Sequence, residues 1–87
     1  MLSASEVRDY IMQGLPCEHV AVLGEDGQHF EAVIVSAQFV GKSMVQQHQL
    51  VYKALGSRMQ QEIHALSMRT FTPDAWARSG NENLLEK

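Results

Sequence analysis

Residues Ile63 to Trp76, IHALSMRTFTPDAW, constrain the fold more than any other stretch of the chain. From Ile63 to Phe71 there is neither Gly nor Pro and the residues suit an extended strand; Thr72 then offers an N-cap oxygen and Pro73 the preset first position of a helix. A strand running directly into a short helix is predicted. Side chains alternate along a strand, which puts His64, Leu66, Met68 and Thr70 on one face and Ile63, Ala65, Ser67, Arg69 and Phe71 on the other. His64 then stands at the strand's beginning, within reach of the surface.

The segments before it fill in an α-β-β-α-α-β-α order. Ser3-Ala4-Ser5-Glu6 is a capping-box pattern, followed by Val7, Tyr10, Ile11 and Leu15 at helical spacing, with Gly14 and Pro16 as stop signals. His19 to Leu23 and Phe30 to Ser36 read as two strands joined by a Gly24-Glu25-Asp26-Gly27 turn. Ser43 to Gln46 is a second capping box, opening a helix to about Leu55 that places Met44, His48, Val51, Tyr52 and Leu55 on one side and Gln46, Gln49 and Lys53 on the other. After Gly56, Ser57 to Glu62 predicts a short helix with Met59 turned inward.

Three strands alone cannot bury enough apolar area, so helices must cover the sheet. The expected fold is α+β, a two-layer sandwich with a three-stranded sheet and helices on one face. Periodicity leaves open which strand lies in the middle. A chain of 87 residues with 45% hydrophobic content suits one thin-cored domain over residues 1–80, while the polar residues 81–87 carry no turn or cap signal and predict a disordered tail. No apolar run approaches the ~18 residues of a membrane span and no leader pattern is present, so a cytoplasmic protein is expected, without membrane contact. The single cysteine, Cys17, cannot form an internal disulfide, which agrees with a reducing compartment.

Two motifs carry a resemblance. His64-Ala65-Leu66 leading to Thr72-Pro73 and Trp76, and upstream Phe39-Val40-Gly41-Lys42-Ser43 followed by Gln46 to Tyr52, resemble the signature of the BolA family, with Gln47 in place of the usual basic residue. The similarity extends from Ser3 to Arg78, and the Gly27-Gln28-His29-Phe30 loop is most like the small bacterial IbaG (YrbA) type. Membership implies a KH-like fold and binding of a monothiol glutaredoxin with a shared 2Fe-2S cluster, in iron-sulfur trafficking or in iron or stress regulation. In that setting His64 matches the family's cluster-ligating histidine. His29 stands where the family's second ligand lies, a histidine in some members and a cysteine in others; glutathione would come with the glutaredoxin.

The residues by themselves are less decisive. An imidazole is a good borderline ligand for iron, yet His64 read alone suits a structural or surface role as well. His29 could simply close the hairpin. Cys17 precedes the first strand, at the far end of the hairpin from His29, and reads as a small buried hydrophobe; His48 lies in an apolar helix stripe and is expected to have a hydrogen-bond partner. His19 has no context favouring function.

Charge suggests a second reading. Residues 1–41 carry a net −5 and residues 42–78 a net +3, from Lys42, Lys53, Arg58, Arg69 and Arg78 against Glu62 and Asp74. An anionic partner would be steered to the basic half, and a nucleic-acid-binding transcription regulator of the stress response is the alternative function; a second copy of the chain, as a homodimer, is a further candidate partner. Against nucleic acid stand the overall charge of −3 and the lack of an aromatic stacking platform. Gly41-Lys42-Ser43 is not a P-loop, since Ser36 occupies the required upstream glycine, and Gly24-Glu25-Asp26-Gly27 lies between strands with two carboxylates that would repel phosphate. No CxxC, HExxH or GxSxG is present, and the chain is not expected to be an enzyme.

Overall fold

Ser3 opens the first helix as the capping box requires. Its hydroxyl accepts the Glu6 N–H at 3.1 Å and the Glu6 carboxylate accepts the Ser3 N–H at 2.8 Å, satisfying two N–H groups that the first turn of α1 (Ala4–Gly14) would otherwise leave open. In this computed structural model the described residues are 2–27, 29–61, 63 and 65–79. β1 (His19–Leu23), β2 (His29–Val35), a 3-10 turn (Ala37–Phe39), α2 (Met44–Leu55), α3 (Arg58–Gln61), β3 (Ala65–Phe71) and α4 (Pro73–Arg78) follow. Residues 81–87 lie outside the described set.

The sheet order is β1-β2-β3. β2 is therefore central, antiparallel to β1 from His19↔Val35 to Leu23↔Glu31 and parallel to β3 from His29↔Ala65 to Val35↔Phe71. A parallel pair needs a long crossover, and the 3-10 turn, α2 and α3 supply it. Val7 and Ile11 of α1, Phe30, Ala32 and Ile34 of β2, Phe39 of the 3-10 turn, Val51 and Leu55 of α2, and Ile63 form the core, with Val20, Val22, Leu66, Met68 and Met59 packed against it. This is the expected α+β sandwich. On the opposite face Trp76 of α4 stacks on His19 at 5.0 Å and meets Phe71 edge-on at 5.2 Å, an aromatic cap over one end of the sheet.

Several local readings change. Gly14 is the last residue of α1 and not its stop; Leu15 is the C-cap, and a Cβ on Gly14 would lie 2.8 Å from the Ala54 Cα, so this glycine lets α1 and α2 approach closely. Gly56 does end α2, with φ +61°. Met44 and Tyr52 are exposed, while Val51 and Leu55 of the same helix are buried. Ser36 is not a strand residue but the buried N-cap of the 3-10 turn, its hydroxyl donating to the Pro16 carbonyl and accepting the Gln38 N–H. β3 starts at Ala65, so Ile63 escapes the strand alternation and enters the core at 3% exposure, whereas Ala65, Ser67 and Arg69 face outward.

Candidate functional site

The turn between β1 and β2 is built on two glycines and one carboxylate. A Cβ on Gly24 would meet the Phe30 ring at 2.4 Å and the His29 carbonyl oxygen at 2.8 Å, so only glycine lets the chain leave β1 this close to β2. Gly27 takes φ +76°, the left-handed region that favours glycine. Between them Asp26 folds its side chain over the turn, accepting the His29 backbone N–H on Oδ1 at 2.9 Å and contacting the His29 Nδ1 through Oδ2 at 2.7 Å.

That second contact fixes chemistry. An ionised carboxylate only accepts hydrogen bonds, so a carboxylate facing Nδ1 favours the tautomer whose proton is on that nitrogen and whose lone pair is at Nε2. A metal-ligating histidine characteristically donates its other ring N–H to a carboxylate in this manner, which orients the imidazole and raises its basicity. His29 and Asp26 are both exposed, at 56% for each side chain, on the rim of an open cleft of about 500 Å³. Leu23, Glu25, Phe30, Glu31, Ala65 and Ser67 complete its walls. The charge of this open cleft differs from the expectation of a basic surface. Glu25, Asp26 and Glu31 make it acidic, although β3 along its edge comes from the basic half of the chain.

His64, the first candidate, lies outside the described residues. The residue that follows it in the chain, Ala65, is the register partner of His29 across β2 and β3, so the strand entered from His64 begins beside His29. Among the described residues no group of three or more His, Cys, Asp or Glu side chains is arranged to hold a metal ion.

The remaining candidates have structural settings. The Cys17 thiol is half-buried and donates to the Leu15 carbonyl at 3.1 Å; burial first, and the Glu18 carboxylate second, push its pKa up to about 11. It sits by the opposite end of β2, where the Glu18 N–H donates to the Val35 carbonyl at 2.8 Å. His19 is a stacking partner of Trp76. His48 lacks the partner expected for it, since its buried Nε2 makes no hydrogen bond among the described residues. Of the cations in the basic half, Arg78 pairs with Asp74 and Arg58 lies over the Tyr10 ring at 3.8 Å. Asp26 is the residue that sequence reasoning misses: in the sequence it reads as a turn carboxylate, although an Asp three residues before a His at a turn is a spacing that permits the bond.

A small α+β sandwich with β2 central, β3 parallel to it and a histidine-bearing hairpin turn beside the start of β3 defines a class, and the comparisons with known proteins give it a name. The family model described as BolA-like protein matches residues 14–75, and the chain belongs to the BolA family. BolA-like protein 2 of Homo sapiens is 40% identical over 81 residues, covering 88% of this chain and 93% of that protein. Acid stress protein IbaG of Escherichia coli K12 is 36% identical over 80 residues, covering 91% of this chain and 94% of that one, which is consistent with an IbaG-like type. The solved structure of a bolA protein homologue from Coxiella burnetii superposes with a TM-score of 0.77 at 41% identity, over 90% of this chain and all (100%) of that one.

Proposed function

We propose that this chain is a non-catalytic adaptor that binds a monothiol glutaredoxin and shares a 2Fe-2S cluster with it, His64 and His29 being the ligands from this side. The observation that supports this reading is the Asp26-held imidazole of His29, prepared as a metal ligand in an open cleft beside the strand that follows His64. The glutaredoxin would contribute thiolates from its own cysteine and from bound glutathione. When bound, such a cluster supplies one-electron chemistry and a transferable iron-sulfur unit, and replacing thiolate by imidazole raises its potential.

What this chain's own residues do is narrower. The glycines at 24 and 27 shape the turn, Asp26 orients the His29 ring, and the cleft leaves one side open for a partner to complete. An acidic cleft argues against the same surface gripping a phosphate backbone, which would have to approach Glu25, Asp26 and Glu31. The nucleic-acid reading thus loses support at this site.

The test is anaerobic mixing with the cognate monothiol glutaredoxin, read by visible absorbance and circular dichroism. A mixed-complex spectrum distinct from that of the glutaredoxin homodimer is expected. His64→Ala should abolish it, His29→Ala should leave a more labile cluster, and His29→Cys should retain a cluster with an altered spectrum. Cys17→Ser should change little. An unchanged spectrum in His64→Ala together with loss in Cys17→Ser would reverse the ligand assignment.

A further inference from the structure

We infer that Asp26 is a positioning residue whose carboxylate selects the metal-binding nitrogen of His29, namely Nε2. The inference rests on the reading of His29 as a ligand for its purpose, but the tautomer it assigns is a property of the apo protein. One carboxylate makes two bonds: Oδ1 takes the backbone N–H of His29 at 2.9 Å and Oδ2 takes Nδ1 at 2.7 Å. The first bond fixes where β2 begins. The second fixes the ring about its side-chain torsions and the position of its proton, so that Nε2 is the donor atom. No other carboxylate on the cleft makes either bond among the described residues: Glu25 and Glu31 line the wall without a hydrogen bond to His29.

The two bonds can be separated by one substitution. In Asp26→Asn the amide oxygen can keep the backbone N–H of His29, which leaves the NH2 group facing Nδ1. A donor facing Nδ1 requires that nitrogen to be the acceptor, and the proton moves to Nε2. Reversal of a histidine tautomer by an Asp→Asn exchange, with the surrounding geometry intact, is known to disable other histidine sites. The variant would therefore keep the hairpin and lose the donor atom. Asp26→Ala removes both bonds.

The experiment is 15N NMR of histidine-labelled apo protein at about pH 8.5, where an ordinary imidazole is neutral, with His29 assigned by its absence in His29→Ala. The wild type should show a protonated Nδ1 and unprotonated Nε2 for this ring, and Asp26→Asn the reverse. A protonated Nε2 in the wild type, or an unchanged tautomer in Asp26→Asn, overturns the inference whatever the cluster does. In the glutaredoxin complex Asp26→Asn should lose its cluster on the order of 10- to 100-fold more readily than wild type and match His29→Ala; behaviour identical to wild type overturns the inference while leaving the adaptor reading in place. Should the wild type form no mixed cluster at all, the adaptor reading falls and the apo spectrum still decides the tautomer.

Discussion

His29 and Cys17 show how differently two potential iron ligands can be treated by one small fold. His29 is exposed and held by the Asp26 carboxylate, whereas the Cys17 thiol is half-buried, donates to a carbonyl and is disfavoured as thiolate by burial and by Glu18. The place of Cys17 at the far end of the hairpin from His29 already counts against it as a ligand, whereas its hydrogen bond and its burial are visible only in the fold. With the pKa pushed up to about 11, the thiolate fraction at neutral pH is small and should rise only as pH approaches that value. Alkylation of the native protein by iodoacetamide is therefore expected to be slow at pH 7 and to accelerate with alkalinity well beyond the point where an unperturbed thiol, at 9.0, is half ionised. The linkage runs the same way. A folded-state pKa above the unfolded one leaves stability untouched below pH 9.0 and lowers it between there and about 11, and Cys17→Ser should remove that part of the alkaline loss seen in denaturant titrations.

At the scale of elements, periodicity reads direction better than extent. Val51 and Leu55 are buried and Gln46, Gln49 and Lys53 exposed, as the helical pattern of α2 requires, yet Met44 on the same stripe is 66% exposed. The pattern says which way a side chain points and not whether anything lies beneath it; in the first turn of α2 Met44 and Val45 are both in solvent. Tyr52 fails for another reason, lying one residue round from Val51 and so off the buried arc. Two further contacts were illegible: the close approach of Gly14 to Ala54, and the 2.6 Å hydrogen bond from the Thr70 hydroxyl to Gln47, which ties α2 to β3. Val51→Ala should cost roughly 1–3 kcal/mol in urea unfolding, from lost burial and the cavity left behind. Met44→Ala should stay within about 0.5 kcal/mol of wild type, as a surface substitution does.

Across the whole molecule the sequence halves do not become spatial halves. β2 comes from the acidic segment and β3 from the basic one, and their pairing sets three carboxylates beside the start of β3. Strand order was the missing information, because apolar alternation looks the same in a central strand and an edge strand when both faces are covered. The fold class, element order and both capping boxes were legible; the convergence of the hairpin turn with the start of β3 was not, since it depends on β2 lying in the middle. Charge at this scale also separates the two functional readings. Mixed-complex formation should persist in added salt and decline on acidification, because a protonated imidazole nitrogen cannot hold iron. Binding to DNA would fall steeply with salt through counterion release. Titration of the glutaredoxin complex with KCl, followed by circular dichroism, makes the comparison.

Ligation by this chain's own histidines is the central claim, and pulsed electron paramagnetic resonance of the reduced mixed complex tests it most directly. With 15N-histidine incorporated into this chain alone and an unlabelled glutaredoxin, the reduced cluster should show a 15N hyperfine coupling of a coordinated imidazole, altered in His29→Ala and lost in His64→Ala. A reduced wild-type complex without any 15N coupling, its cluster held by thiolates alone, would contradict the account.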